Sequence, residues 1–283
     1  TRSYTNAKVR ENYSRRFSIR FPNEELPAAR PQQTTPLYDI VLSQGAVMGD
    51  SWGLETPLWF APKGVEPKDV VSFHRSNDFP HVKAECLAVR ERVGVTEIAN
   101  FAKYEFTGRG AEAFLARLMT NRMPRQGRIV LTPMLNEAGR LIGDFTIARA
   151  GAERFLMWGS SQAQKHHMRW FERHPPPLGT VIRPLPHALT GFMIAGPRSR
   201  ELLSRLVRED ISNEAFRFFA VKEMAVGMVP ATVFRASYTG DLGYEIWWTP
   251  DYHVTLYETL IEAGRDLGLR HFGNRALMSL RLE

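Results

Sequence analysis

Two carboxylates stand where a protein could do acid chemistry. The first is Glu245, in Ser237-Tyr238-Thr239-Gly240-Asp241-Leu242-Gly243-Tyr244-Glu245. A hydrophobic run ending at Tyr238, a turn built on Gly240 and Gly243, and a second run through Tyr244 to Trp248 read as a β-hairpin. Flanked by Tyr244, Ile246, Trp247 and Trp248, the Glu245 carboxylate is costly to bury unless protein or ligand donates hydrogen bonds to it. The second is Asp144, at the entrance of the apolar strand that follows the turn Gly139-Arg140-Leu141-Ile142-Gly143. An acid there is either a solvated strand end or a partly desolvated group that moves a proton near a ligand nitrogen, and nothing local decides between the two.

Other reactive residue types carry less. His166 and His167 are adjacent in a helical segment, so their side chains diverge by about 100° and do not readily share a metal. One cysteine, Cys86, excludes an intrachain disulfide and a thiolate cluster, and no His-Glu-x-x-His pattern occurs, so no metal is expected. Ser160 and Ser161 precede a helix and read as N-caps rather than nucleophiles. Gly108-Arg109-Gly110 lacks the third glycine of a dinucleotide loop, and there is no Walker sequence. The charge of +7 favours anionic partners in general, but the cations are scattered and no nucleic-acid motif appears.

The elements that must position these groups alternate along the chain. Helical spacing runs over 81–93, 111–123, 162–173, 199–207 and 254–267. Strand-like runs occupy 103–107, 128–131, 144–149, 154–158, 192–195, 229–237 and 244–248. Several successive strands are joined by links too short for a helical crossover, which predicts α+β with mostly antiparallel sheets and packed helices. With 43% hydrophobic and 24% charged residues in 283, the composition is that of a globular protein. No apolar run is long enough to span a bilayer and the N-terminus lacks a secretion signal, so a soluble protein is expected in a reducing compartment, the cytoplasm or the mitochondrial matrix of a eukaryote. Residues 1–60 are proline-rich and polar, yet carry Tyr38, Trp52, Trp59 and Phe60, which predicts a connector docked on the domain spanning 61–283.

Taken together, SYTGDLGYEI, MLNEAGRLIGDFTI, RVGVTEIANFAKYEFTG, AGPRSRELL and the terminal SLRLE resemble, in order and spacing, the aminomethyltransferase family typified by the glycine cleavage T-protein. The first 60 residues resemble the connector that joins a flavin half to a folate half in dimethylglycine and sarcosine dehydrogenases or oxidases. The resemblance covers essentially the whole chain and implies a flavin half before Thr1 and a C-terminal barrel after Glu283. It implies tetrahydrofolate as cofactor, with FAD confined to the preceding half. Its partners would be folate, a small N-methylated amine or its iminium, and the flavin domain, with no nucleic acid and no membrane. The implied reaction captures an oxidised N-methyl group as 5,10-methylenetetrahydrofolate. Alternatives are a stand-alone glycine cleavage aminomethyltransferase and a folate-binding module without catalysis.

By the same resemblance, Asp144 is the catalytic acid, and Glu245 and Tyr238 belong to the folate site, with Glu245 recognising the pterin. Phe101, Phe155, Met157, Gly159 and Phe218 fall on further pocket-lining positions. T-proteins often carry two acids where this chain has Gly143 and Asp144, and an arginine where it has Leu277, for which Arg275 would substitute.

Overall fold

The computed structural model describes residues 1–282, so Glu283, the last residue of the SLRLE motif, lies outside the described residues. Two sheets face each other. The first has five antiparallel strands: β5 (Ile129–Leu135), β6 (Leu141–Gly151), β7 (Arg154–Ser160), β4 (Phe101–Thr107) and β8 (Val181–Pro184), in that spatial order. The second has six: β10 (Val221–Val226), β11 (Val229–Phe234), β12 (Gly243–Trp248), β9 (Thr190–Ala195), β3 (Gly94–Glu97) and β13 (Arg270–His271). Among the described residues of these two sheets, only the short β13–β3 pair is parallel, so the α+β, antiparallel expectation holds.

Strand alternation sorts the side chains into three layers of core. Ala148 of β6, Leu156 and Trp158 of β7, Met193 of β9, Phe234 of β11 and Trp247 of β12 meet between the sheets. Behind the five-stranded sheet, Phe145, Ile147, Phe155 and Met157 pack on α4 (Ala111–Leu118) and α5 (Gln164–Arg173) through Phe114, Leu115 and Phe171. Behind the six-stranded sheet, Tyr244, Ile246 and Trp248 pack on α6 (Ser199–Ser204) and α7 (His253–Gly264) through Leu203, Leu256 and Leu260. α4 stops at Leu118 rather than running to residue 123, because Met119 turns extended and bridges Met134 of β5.

The first 60 residues comprise α1 (Arg2–Ser14), α2 (Tyr38–Ser43) and a hairpin of β1 (Ala46–Ser51) and β2 (Leu54–Phe60). The hairpin is tied to α3 (Phe79–Glu91) and α8 (Asn274–Leu282). Trp59 is fully buried, stacks on His81 and donates its indole N–H to Asp69 at 2.8 Å. Glu85 of α3, also fully buried, accepts from the backbone N–H of Phe60 at 2.7 Å and of Gly273 at 2.9 Å. These bonds fix the hairpin beside α8. The hairpin tip then overhangs one end of the two-sheet stack. No helix among the described residues is long and apolar enough to cross a membrane.

Candidate functional site

A cleft of about 320 Å³ opens where the hairpin tip, the end of β3, the start of β4, the loop before β12 and α8 meet; Trp52, Glu97, Phe101, Met193, Tyr238 and Leu277 are among its walls. A larger hollow of about 420 Å³ on the outer face of α5 is bordered by His166 and Arg169 and holds none of the expected site residues. Chemistry is better served by the first, which combines aromatic walls with one acid. Leu277 does line it, at the position where the resemblance expected an arginine.

Glu245 stands on the face of β12 that points between the sheets, opposite Phe234 on one side and Met193 on the other; Met193 in turn lies opposite Thr96. Met193 and Thr96 line the cleft, so Glu245 is the next position along one cross-strand row. Among the described residues its one hydrogen bond comes from the Trp247 indole N–H, a long 3.4 Å. Burial, against this weak donor, pushes its carboxyl up to about 7. Glu245 does not itself line the cleft; a carboxylate so poorly served, one position behind its wall, can accept two further donors. The hairpin reading holds, but β11 ends at Phe234 rather than 237; Arg235 still exchanges backbone hydrogen bonds with Phe219 and Ala220.

Asp144 is exposed on β6, opposite Pro133, and lies outside the cleft lining, two strands from Phe101 in the same sheet. Beneath its turn is His167, fully buried. The Tyr104 hydroxyl meets His167 Nδ1 at 2.9 Å, and Nε2 has no partner. Burial pulls this imidazole down to about 4, while the charge of Asp144 opposes the shift. Gly143 and Gly159 make room for this packing: a Cβ on Gly143 would stand 2.6 Å from His167 Nε2, and one on Gly159 2.6 Å from the Phe145 ring.

The remaining expected residues divide. Phe101 and Tyr238 line the cleft. Phe155 and Met157 are fully buried on the far face of the five-stranded sheet, in the core shared with α4 and α5. Phe218 is 60% exposed and stacks on Phe219 away from the cleft. Arg275 is committed to Asp69, through contacts of 2.8 and 2.6 Å, and to Asp78 at 2.8 Å, which locks α8 to the segment after the hairpin. Ser160 makes no capping hydrogen bond; with Ser161 it borders the cleft instead, a correction to the N-cap reading. Two residues went unremarked in the sequence. Glu97 lines the cleft, and Lys103, buried on β4, donates to the Ala99 carbonyl at 2.8 Å and is brought down to about 8 by desolvation. Among the described residues, no group of three or more acidic, His or Cys side chains converges as a metal site would require.

The model of the GCVT N-terminal domain matches residues 37–283. The chain belongs to that family. A second model, for the FAD dependent oxidoreductase central domain, matches residues 1–35. The chain is 35% identical over 286 residues to mitochondrial dimethylglycine dehydrogenase of Rattus norvegicus, covering 100% of this chain and 33% of that protein. It is 33% identical over 283 residues to 4-methylaminobutanoate oxidase (formaldehyde-forming) of Paenarthrobacter nicotinovorans, covering 100% of this chain and 34% of that protein. It thus spans about a third of the length of these curated relatives. The glycine cleavage system aminomethyltransferase T from Bartonella henselae shares the fold, with a TM-score of 0.72 at 21% identity over 89% of this chain and 62% of that one. This GCVT domain is therefore aminomethyltransferase-like, and its relatives include N-methylamine dehydrogenases and oxidases.

Proposed function

We propose that this domain transfers a one-carbon unit to tetrahydrofolate, capturing an oxidised N-methyl group as 5,10-methylenetetrahydrofolate within a dimethylglycine dehydrogenase-like enzyme. The observation that carries the reading is Glu245, a carboxyl pushed up to about 7 with one weak donor, placed one position behind the cleft wall formed by Met193. A pterin presents an amino group and a ring N–H side by side, the donor pair such a carboxylate lacks. Phe101 and Tyr238 supply aromatic walls for a flat ring, and the cleft volume lies within the ~300–1,000 Å³ of small-molecule sites.

Tetrahydrofolate, when bound, supplies the nitrogen nucleophile for the one-carbon unit. The chain's own residues do the rest. Glu245 orients the ring, Trp247 steadies Glu245, and Phe101 with Tyr238 excludes water from one side. Asp144 holds or releases a proton at its carboxylate. The flavin chemistry that oxidises the amine belongs to polypeptide outside this chain.

Asp144→Ala in the full-length enzyme tests the catalytic part. Methylenetetrahydrofolate yield should fall by about 10²-fold or more, with formaldehyde released in its place, while folate affinity is kept. The exposed position of Asp144, outside the cleft lining, favours a second reading, a folate-binding module without catalysis. An unchanged yield in Asp144→Ala would select it.

A further inference from the structure

The hairpin beside the cleft is built in two parts. Its base, where Ala46 and Val47 lie opposite Phe60 and Trp59, is docked through Trp59 and Glu85. The register then shifts, so that Met48 lies opposite Pro57 and Leu58 is an extra residue on β2. Such a bulge interrupts the ladder and bends the strand. Beyond it, the tip carries Ser51, Trp52, Thr56 and Pro57 into the cleft wall. Trp52 holds a left-handed backbone, φ 55°, that bulky residues rarely adopt, and is 70% exposed.

The segment before the hairpin holds this tip. Arg30 forks onto Glu55, Nε to Oε1 at 2.8 Å and Nη2 to Oε2 at 2.6 Å, and Nη2 also donates to the Met48 carbonyl, at the bulge, at 3.1 Å. Its Nη1 donates to Glu25 at 3.2 Å, and the same Glu25 oxygen accepts from the Asp50 backbone N–H at 3.0 Å. Gln33 bridges the turn: its N–H donates to the Gly53 carbonyl at 3.0 Å and its carbonyl accepts from the Glu55 N–H at 2.9 Å. The Arg30 side chain is 14% exposed and that of Glu55 3%, so the fork is nearly dry, where a bidentate pair is strong and directional. From the cleft side, Asn100 reaches the Ser51 hydroxyl at 3.2 Å. The strap is tied in turn to α1: Lys8 donates to the Leu26 carbonyl, Glu11 accepts from the Ala28 N–H, and Arg15 pairs with Glu24. Arg30 and Gln33 fall in residues 1–35, matched by the FAD dependent oxidoreductase model, whereas the hairpin falls in the GCVT match. Residues of one family's segment thus fix the cleft wall of the other.

We infer that Arg30 is a positioning residue for the cleft: acting through Glu55, it sets how closely the hairpin tip and Trp52 cover the opening, and so how long a ligand stays inside. The docked base is the fixed end, the bulge the bend and the Arg30 fork the latch. Releasing the latch raises the population of tip-open molecules without unfolding the domain. This rests on the proposed function only in taking tetrahydrofolate as the occupant.

Hydrogen exchange and tetrahydrofolate dissociation in the full-length enzyme test this. Arg30→Met should speed amide exchange over residues 48–57 by about tenfold or more and leave residues 58–61 within about twofold. It should speed tetrahydrofolate dissociation about tenfold, whereas Arg30→Lys, which keeps the charge and loses the fork, should speed it about threefold. Trp52→Leu should also speed dissociation, and adding Arg30→Met to it should change the rate by less than about twofold, because the strap acts through the tip. Exchange that rises equally over 48–61, dissociation unchanged in folded Arg30→Met, or additive effects of Arg30→Met and Trp52→Leu overturns the inference. If Arg30→Met does not fold, Glu25→Ala takes its place: it removes an acceptor from both Arg30 and Asp50 and should speed tip exchange about threefold, and unchanged exchange overturns the inference. Failure of the unaltered enzyme to bind tetrahydrofolate would sink the proposed function instead, and the exchange pattern alone then decides the role of Arg30.

Discussion

Glu245 ties folate affinity to pH in a way that can be worked out in advance. Burial holds its carboxyl at about 7 in the free chain, and the ligand donors it would accept from require the ionised form. With that value, about one molecule in eleven carries the carboxylate at pH 6 and about ten in eleven at pH 8. Apparent folate affinity should therefore rise about tenfold between pH 6 and pH 8, or about 1.4 kcal/mol. Binding at pH 6 should release close to one proton, measurable by calorimetry in buffers of different ionisation enthalpy. Glu245→Gln should weaken binding by about 1–3 kcal/mol at pH 8 and flatten the profile, which separates this residue from titration of the ligand itself. For stability the sign is opposite. A carboxyl raised above its unfolded value near 4.5 contributes stability that is present below that value and is lost as pH rises through about 7, so the unliganded chain should be less stable at pH 8 than at pH 5. A flat affinity profile, or an equal slope in Glu245→Gln, would refute the reasoning.

Two further substitutions test the packing around the site. Gly143→Asp, which restores the acid pair of T-proteins, places a Cβ 2.6 Å from His167 Nε2 and 2.8 Å from the Phe145 ring; it should destabilise the chain by about 1–3 kcal/mol in chemical denaturation. An unchanged midpoint would show that His167 moves freely. Arg275→Gln strands the largely buried carboxylates of Asp69 and Asp78 and should cost about 3 kcal/mol, while folate affinity of the folded fraction stays within twofold; a selective loss of affinity would return Arg275 to the site.

How much of this was legible in the sequence depended on whether a strand has one buried face or two. On β12, the acid among aromatics marked a position to explain, and alternation alone places Glu245 with Trp247 and opposite to Tyr244, Ile246 and Trp248. On β7, every residue from Phe155 to Gly159 is buried, because one face meets the second sheet and the other meets the helices. A run buried on both faces carries no sign of which face borders a ligand, so Phe155 and Met157 could not be told from core by pattern. Arg275 fails for another reason: its partners Asp69 and Asp78 are 206 and 197 residues away, and only the folded chain joins them. Glu97 is the most instructive case. It is an acid at the end of an apolar strand, as Asp144 is at the start of one, and the two signals are equivalent in sequence. What separates them is the hairpin of residues 46–60, docked through Trp59 and Glu85, which roofs the end of β3 and leaves the Asp144 turn open. A segment that reads as a connector thus decides which acid faces the cleft.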